Sequence, residues 1–321
     1  MSKNENRKKS IFEHQKEKSK PTYSLSSLVK SLILFLQLTK EQTSVFFTRK
    51  LQGQRTIQEW LFFLQRIAEF DKHADNTRKV MIVNFWWILG ISFVAYIVGI
   101  GIENMIFLNW LWRISLFLML IHLSVYFLLK RFDLSNHLRV FFVPLLRILS
   151  QESKPENPLQ LQMYLSEPEN EQFLIRKNTK NNPLVKEYVY RYPWLNFSMK
   201  MADNTLLSAE LTETWLVRKT TKPNARGKIK TKVKKILKRR DKITIGFEKD
   251  EYALENTQNV VSEKVKKADV LLMKPNEKRH TFRIENREKI VVLDNSSAEP
   301  SLENFLSKVA KAYQVMKPIA S

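Results

Sequence analysis

The segments VMIVNFWWILGISFVAYIVGIGI (Val80–Ile102) and MIFLNWLWRISLFLMLIHLSVYFLL (Met105–Leu129) are two apolar runs separated only by Glu103 and Asn104. Each run exceeds the roughly 20 apolar residues that a helix needs to cross a hydrocarbon core about 30 Å thick. A helix buried in the core of a soluble protein is the alternative, but such a helix rarely stays apolar on all sides over this length. Because the connector is too short for a folded domain, the sequence predicts a transmembrane helical hairpin.

The orientation of the hairpin follows from the basic residues in its short flanks, since Lys and Arg are retained on the cytoplasmic side. The connector contains Glu103 and no basic residue. Both flanks are basic, through Lys72, Arg78, Lys79, Lys130, Arg131, Arg139 and Arg147. We therefore expect an integral, multi-pass protein with two spans, both termini in the cytoplasm and the connector outside.

Three polar residues lie within or near the predicted spans, namely Asn84, Arg113 and His122. Intramembrane ionisable residues are functional candidates, because they are costly to bury in lipid. The opposing interpretation is structural: Arg113 is close enough to the outer surface to extend into it, and a neutral His122 can bond to the facing helix. Two helices per chain cannot enclose a pore, so a channel would require an oligomer.

The rest of the chain divides by composition and apolar spacing. A charged, apolar-poor start predicts disorder, and apolar residues at i, i+3, i+4 predict amphipathic helices before the first span. An amphipathic stretch containing Pro144 predicts a kinked interfacial helix after the second span, and Pro155, Pro158 and Pro168 indicate a linker. The predicted segments are residues 1–20 (disordered basic tail), 21–79 (amphipathic or cytoplasmic helices), 80–129 (transmembrane hairpin), 130–150 (interfacial helix), 151–183 (linker) and 184–321 (cytoplasmic domain).

The last segment changes to a period of two, which is typical of strands. Alternating residues on both sides of the turn signal Asp203-Asn204 predict a long antiparallel hairpin. Shorter strands are predicted at residues 243–247, 270–273, 281–284 and 290–293, and a helix after Pro300. The fold class is therefore α+β: a two-span transmembrane helical hairpin with N-terminal amphipathic helices and a C-terminal cytoplasmic antiparallel-sheet domain capped by a helix.

More than half of the net charge of +22 lies in one segment. RKTTKPNARGKIKTKVKKILKRR (Arg218–Arg240) has 12 basic residues and no acidic residue, and without it residues 151–321 are close to neutral. The segment joins two predicted strands, and we expect it to be a basic loop; its spacing fits a strand and a helix almost equally well. The predicted binding residues are Lys228, Lys230, Lys232, Lys234, Lys235, Lys238, Arg239 and Arg240.

Several partners suit this basic segment. Anionic membrane lipid attracts each basic residue near its surface by roughly 1 kcal/mol, and a chain tethered to the membrane meets lipid at high effective concentration. Nucleic acid is a weaker candidate, because the segment has no interleaved aromatic residues for base stacking. An acidic protein surface and a solvated segment with no partner are the remaining alternatives.

Sequence motifs indicate no catalytic site. The five histidines show no metal-ligand spacing with one another, there is no cysteine, and neither a glycine-rich phosphate loop nor a G-x-S-x-G motif occurs. We therefore expect no enzyme activity, cofactor or metal. The sequence favours a scaffold or regulator that holds an α+β domain at the inner leaflet. An oligomeric pore-forming or defence effector, and a membrane-tethered nucleic-acid binder, are the alternatives.

Overall fold

The computed structural model describes residues 25–101, 106–179, 184–223, 227–254, 269–275, 278–292 and 299–319. The predicted N-terminal tail, the Glu103-Asn104 connector and residues 224–226 lie outside the described residues. The chain divides into two compact units. We call Met1–Thr39 with Glu69–Asp133 the helical unit, and Lys40–Ala68 with Leu134–Ser321 the sheet unit.

The helical unit contains α1 (Leu25–Leu36), the larger part of α3 (Ile57–Gly101) and α4 (Ile106–Arg131). Aromatic side chains join these helices: the ring of Phe35 lies 5.5 Å from that of Phe70 and 5.2 Å from that of Phe132. The hydroxyl groups of Ser31 and Thr77 are 2.8 Å apart and both residues are buried. Packing of α1 therefore uses ring contacts and one shielded hydrogen bond.

Two helical segments, Ile57–Val98 and Trp110–Arg131, are long and apolar enough to cross a membrane. Their apolar side chains are largely exposed in the described part of the chain; Trp86, for example, is 64% exposed and Trp87 70%. A core helix of a soluble protein would bury such side chains. Two long helices with outward-facing Trp, Phe and Ile are the pattern that the membrane interpretation requires.

The sheet unit begins with α2 (Lys40–Thr48) and β1 (Lys50–Thr56), followed by residues 57–68 of α3. A π-helical turn (Leu138–Phe142) then leads into α5 (Val143–Leu149). The remaining elements are β2 (Pro158–Tyr164), a 3-10 turn (Glu171–Phe173), β3 (Leu174–Thr179), β4 (Val185–Lys200), β5 (Leu206–Pro223), β6 (Ile229–Glu248), β7 (Tyr252–Leu254), β8 (Asp269–Pro275), β9 (Arg279–Val292), α6 (Leu302–Tyr313) and β10 (Met316–Pro318).

The strands form one antiparallel sheet in the order β1-β2-β4-β5-β6-β9-β8, with β3 also paired to β4 and a separate β7-β10 pair. This confirms the α+β class and the antiparallel sheet. Asp203 and Asn204 form the predicted turn between β4 and β5, where Asn204 adopts a φ of 62°. Asn accepts this left-handed conformation more readily than most residues, which explains its position in the turn.

One face of the sheet, the inner face, is covered by helices and forms the core. The ring of Phe305 in α6 lies 6.3 Å from that of Phe197 in β4 and 5.6 Å from that of Phe141. The indole nitrogen of Trp60, at the start of α3, donates a hydrogen bond to the carbonyl oxygen of Leu159 at 3.1 Å. The predicted final helix is thus confirmed, and it shares the inner face with Phe141 of the π-helical turn and Trp60 of α3.

The predicted interfacial helix at residues 130–150 is wrong in position. Leu138, Phe142, Leu145 and Leu146 are fully buried within the sheet unit. Their apolar stripe contacts the inner face of a sheet whose strands come later in the chain, so periodicity alone cannot distinguish it from a membrane-facing stripe. Pro144 follows the π-helical turn directly, and Phe142 and Val143 before it keep helical dihedral angles, so the chain stays helical through this position.

Three further expectations are corrected. Residues 21–79 are not helical throughout, because Lys50–Thr56 forms β1 and pairs with β2. Residues 151–183 are not an irregular linker, because they contain β2 and β3. The basic loop 218–240 is mostly strand: β5 continues to Pro223 and β6 begins at Ile229, so this charge is displayed on a regular hairpin.

Candidate polyanion-binding face

The far ends of β5 and β6 form a basic arm, which we define as residues 218–223 and 228–234. Strand β4 flanks β5 as far as Thr220, and beyond that residue the arm is two-stranded. Side chains alternate between faces along a strand, so every second residue of the arm faces the side opposite to the inner face, here called the outer face. Opposed Cβ atoms in antiparallel strands lie about 4.5–5.5 Å apart. The pairs on the outer face of the arm are Lys222 with Lys230, Thr220 with Lys232, and Arg218 with Lys234.

The basic character continues from the arm onto the main sheet. Along β6 the outer face carries Lys230, Lys232, Lys234, Lys238 and Arg240, with Ile236 interrupting the series. At 3.2–3.4 Å per residue, Lys230 and Arg240 are separated by about 33 Å along the strand. On the neighbouring strand β9, Lys289 stands opposite Lys238 and Arg287 opposite Arg240. We call this row, including its β5 and β9 partners, the basic strip.

The structure separates the eight residues predicted to bind a partner. Lys230, Lys232, Lys234, Lys238 and Arg240 share the outer face, and Lys228 precedes β6. Lys235 is on the other face and pairs with Glu169. Arg239 is also on the other face, is only 7% exposed and pairs with Glu213, so it is not available to a surface ligand.

Four lysines of the arm have no ion-pair partner in the described part of the chain. No ion pair there involves Lys222, Lys230, Lys232 or Lys234, and all four are exposed. Arg218 contacts Glu187 at 3.4 Å. Like charges directly opposite each other destabilise an antiparallel pair, so the Lys222–Lys230 pair opposes the hairpin that contains it. An anion placed between such pairs removes this repulsion.

At the Arg240 end of the basic strip, three arginines surround one carboxylate. Arg240 contacts Glu285 at 3.2 Å, Arg287 contacts it at 3.9 Å, and Arg283 also bonds to it. Burial by itself would raise the pKa of Glu285, but hydrogen bonds from Arg240 and Arg283 hold that pKa below its ordinary value. We call Arg240, Arg283, Arg287 and Glu285 the arginine cluster; two positive charges remain after pairing.

A different charged group lies on the inner face. Glu213 is fully buried and accepts hydrogen bonds from the indole nitrogen of Trp215 at 3.0 Å and from Nη2 of Arg239 at 3.2 Å. Nε2 of His137 is also 3.2 Å from its Oε1 atom. Burial would raise the pKa of Glu213, but His137 and Arg239 lower it below its ordinary value. This group is shielded from solvent and paired, which indicates a structural role.

Ser135 extends this buried group, with its Oγ atom 2.6 Å from Nδ1 of His137. A serine, a histidine and a carboxylate in series resemble an acyl-transfer arrangement only in composition. The backbone N–H of His137 also donates to the Ser135 hydroxyl at 3.4 Å, which is a local turn contact. The ring centre of Trp194 lies 4.6 Å from that of the imidazole, and Ser135 is not among the residues that line the grooves described below.

The other end of the outer face carries a row of uncharged polar side chains, flanked by Lys200 and Arg279. Gln54, Gln160, Ser198, Ser208 and Thr244 occupy successive strands in one row across the sheet. They line two adjoining grooves of about 440 and 610 Å³. The face therefore combines a neutral hydrogen-bonding region with the strongly basic strip, and only the strip has the charge that a polyanion requires.

The structure does not bring together the three polar residues of the predicted spans. Nδ1 of His122 lies 2.8 Å from the carbonyl oxygen of Leu118 in its own helix. The guanidinium of Arg113 lies 5.8 Å from the ring centre of the adjacent Trp112. Among the described residues no hydrogen bond or ion pair joins Asn84, Arg113 and His122 to one another. The expected pore alternative gains no support from these contacts.

Three carboxylates of the helical unit come together in a way that sequence spacing did not suggest. Oxygen atoms of Asp71, Asp75 and Asp133 lie within 4.8 Å of one another, which is compatible with a metal ion. Arg78 bonds to Asp75 and contacts Asp133 at 2.8 Å. The guanidinium thus supplies the positive charge that a cation would otherwise bring.

The basic residues that β9 contributes to this face were not predicted as binding residues. Arg283, Arg287 and Lys289 alternate along RHTFRIENREKIVV (Arg279–Val292), so the period-two pattern places them on one face. Their pairing with β6, however, is set by the sheet order, which the sequence does not state. None of the family models, curated proteins or solved structures compared with this chain matches it.

Proposed function

We propose that this chain is a membrane-anchored, non-enzymatic scaffold or regulator whose basic arm binds anionic lipid headgroups at the cytoplasmic face. The observation that supports the proposal best is the outer face of the arm, where Lys222 opposes Lys230 and Lys232 and Lys234 continue the row. Each basic residue near an anionic leaflet contributes roughly 1 kcal/mol. Four lysines then supply on the order of 4 kcal/mol, screened by salt.

The composition of the arm favours lipid over nucleic acid. Its other face displays Ile229, 74% exposed, and Val233, 47% exposed, which suit contact with a headgroup and acyl-chain boundary. No aromatic residue occurs in segment 218–240 to stack on a base. The two candidate spans add effective concentration, because an arm on a membrane-inserted chain meets lipid without a diffusional search.

The proposal is tested on the full chain in lipid nanodiscs. Because the chain has no cysteine, Thr231→Cys provides a single labelling site on the arm. An environment-sensitive dye at this site should be quenched by spin-labelled headgroups as phosphatidylglycerol replaces phosphatidylcholine. The quenching should fall when salt is raised, since the Debye length shrinks to about 3 Å at 1 M.

A matched pair of variants distinguishes the effect of the arm lysines on quenching from the effect of the total charge of the chain. Replacing Lys222, Lys230, Lys232 and Lys234 with Gln should remove most of the quenching. The same number of substitutions at exposed lysines elsewhere in the sheet unit, Lys40, Lys154, Lys249 and Lys278, should leave it unchanged. If both quadruple variants lose quenching equally, net charge and not the arm is responsible, and the proposal fails.

Duplex DNA added at equal charge concentration tests the other polyanion. If duplex removes the arm from phosphatidylglycerol nanodiscs with a steep salt dependence, the arm is a nucleic-acid binder and the lipid proposal is wrong. If the dye reports neither ligand at physiological salt, the arm is a solvated hairpin. Retention of lipid-dependent quenching with duplex present supports the proposal.

A further inference from the structure

The arginine cluster has more positive charge than its carboxylate can neutralise. Arg240 and Arg287 stand opposite each other on β6 and β9 and share one oxygen of Glu285, while Arg283 uses the other. Two residues farther along each strand, on the same face, Lys238 opposes Lys289. Two directly opposed like-charged pairs in succession are unfavourable for strand pairing.

The cluster also leaves hydrogen-bond donors without acceptors. The Nε atoms of Arg240 and Arg283 are buried and have no partner among the described residues. An unsatisfied buried donor is unfavourable, and buried polar groups are nearly always hydrogen-bonded. Guanidinium groups present five N–H donors in a fixed planar arrangement, so two of them beside one carboxylate exceed what its oxygens accept.

We propose that the arginine cluster is a binding site for a phosphomonoester. A phosphomonoester carries a charge of about −1.5 to −2 at neutral pH and has three acceptor oxygens. This matches the two residual positive charges, and the three oxygens offer acceptors to the Nη groups of the cluster, since the side chains of Arg240, Arg283 and Arg287 are 43%, 25% and 73% exposed. A phosphodiester has one negative charge and fewer free oxygens, so it satisfies the cluster less well.

The ligand chemistry has two possible sources, a lipid with a phosphomonoester headgroup and a soluble phosphate ester. The site adjoins the arm along β6, and the inference deepens the proposed function because it names the headgroup class that this face selects. The inference rests on the proposed function only if the ligand is a lipid. A soluble ligand tests the site independently of any membrane contact.

In the experiment, glycerol 3-phosphate is titrated into the full chain in phosphatidylcholine nanodiscs, and binding is measured by isothermal titration calorimetry at constant ionic strength. Glycerophosphoglycerol, a soluble phosphodiester, is the comparison ligand. We expect the monoester to bind at least tenfold more tightly. Equal binding of the two esters, or binding of neither, overturns the inference.

Two opposite substitutions distinguish a ligand site from a structural cluster. Arg240→Gln with Arg283→Gln should weaken glycerol 3-phosphate binding at least tenfold. Glu285→Gln removes the competing carboxylate and should strengthen binding severalfold, a gain that a merely structural role does not predict. The control is Arg279→Gln, whose guanidinium pairs one-to-one with Glu248 at 2.8 Å on the same face; it should change binding less than twofold.

A membrane readout then identifies the source. With the dye on Thr231→Cys, nanodiscs containing phosphatidic acid should quench more strongly than phosphatidylglycerol at equal surface charge, and the Arg240 and Arg283 double variant should lose only this excess. If glycerol 3-phosphate binds but the excess is absent, the site is for a soluble ester. The arm variant should lose quenching and still bind glycerol 3-phosphate. The quenching therefore tests the arm, and glycerol 3-phosphate binding tests the arginine cluster, so that either proposal can fail without the other.

Discussion

Arg239 donates hydrogen bonds from Nε and Nη2 to the Oε1 atom of Glu213, at 3.4 and 3.2 Å, while the next residue, Arg240, contacts Glu285 on the opposite face of the sheet. Strand alternation thus divides two adjacent arginines between two environments. Arg239 is buried with a neutralising partner, whereas Arg240 is part of an exposed basic surface. The same residue type is structural in one position and a candidate ligand in the next.

The buried pair predicts a large effect on stability. Glu213→Ala should destabilise the fold by about 3–5 kcal/mol, because it leaves Arg239 buried without its counter-charge. Glu210→Ala, which removes an exposed pairing with Lys242, should cost no more than about 1 kcal/mol. Thermal melting of the two variants beside the unaltered chain measures the difference. Similar melting temperatures for both would refute the structural role assigned to Glu213.

The lowered pKa of Glu213 predicts the direction of the acid response. Its pKa is below the value of about 4.3 expected in the unfolded chain, so ionised Glu213 stabilises the fold above that value. This contribution should disappear as the pH falls below about 4.3 and through the lower folded-state pKa. Glu213→Gln should therefore flatten the decline of stability in this range. An unchanged acid limb in the variant contradicts the assignment.

Repulsion in the arm predicts that a charge reversal stabilises the hairpin. Lys230→Glu should gain about 0.2–1 kcal/mol, because the new carboxylate stands opposite Lys222. Lys232→Glu is the matched control, since its cross-strand partner is the neutral Thr220. Hydrogen exchange of the arm amides compares the two variants. Equal protection in both would show that cross-strand repulsion does not limit the hairpin.

Membrane topology is tested through the absence of cysteine. With both termini predicted in the cytoplasm, Asn104→Cys should react with an impermeant maleimide added to intact cells, whereas Ser321→Cys should react only after lysis. Permeabilised cells provide the control that both thiols are reactive. Labelling of Ser321→Cys in intact cells, or protection of Asn104→Cys, would reverse the orientation.

The alternating apolar pattern and the lack of a long apolar run predict that residues 151–321 fold alone, but the core contacts of the structure predict the opposite. This fragment lacks β1, which pairs with β2 at one end of the sheet, and the buried Trp60, Phe141 and Phe142, which cover the inner face in the full chain. Loss of several fully buried aromatic residues costs more than the usual marginal stability of a domain. Circular dichroism of the fragment should show no cooperative melt. A sharp melt close to that of the full chain would show that these contacts are dispensable.

The sequence by itself determined the features that depend on local pattern. Two apolar runs gave two helices of membrane-spanning length, period-two alternation gave antiparallel strands, and the apolar stripe after Pro300 gave α6. Each of these follows from side-chain spacing within a single segment. The concentration of basic charge in Arg218–Arg240 is likewise a property of the sequence.

Tertiary structure decided what each pattern packs against. The stripe in residues 138–149 reads as membrane-facing, yet it contacts the inner face of a sheet built from later residues. Lys50–Thr56 has little strand signal. It becomes a strand because it pairs in antiparallel register with β2, whose partner residues lie 102 to 114 positions later in the sequence. Periodicity carries no information about a distant partner, which is why these assignments were wrong.

The candidate site shows the same division at the level of single side chains. The sequence named Arg239 and Arg240 together, but the strand conformation of β6 sends one to the core and the other to the surface. It did not name Arg283 or Arg287, because only the pairing of β9 with β6 brings them beside Arg240. The basic residues themselves can be identified in the sequence. Which of them lie side by side depends on the register of strands far apart in the chain, because hydrogen-bonded pairing and not sequence proximity determines which side chains meet.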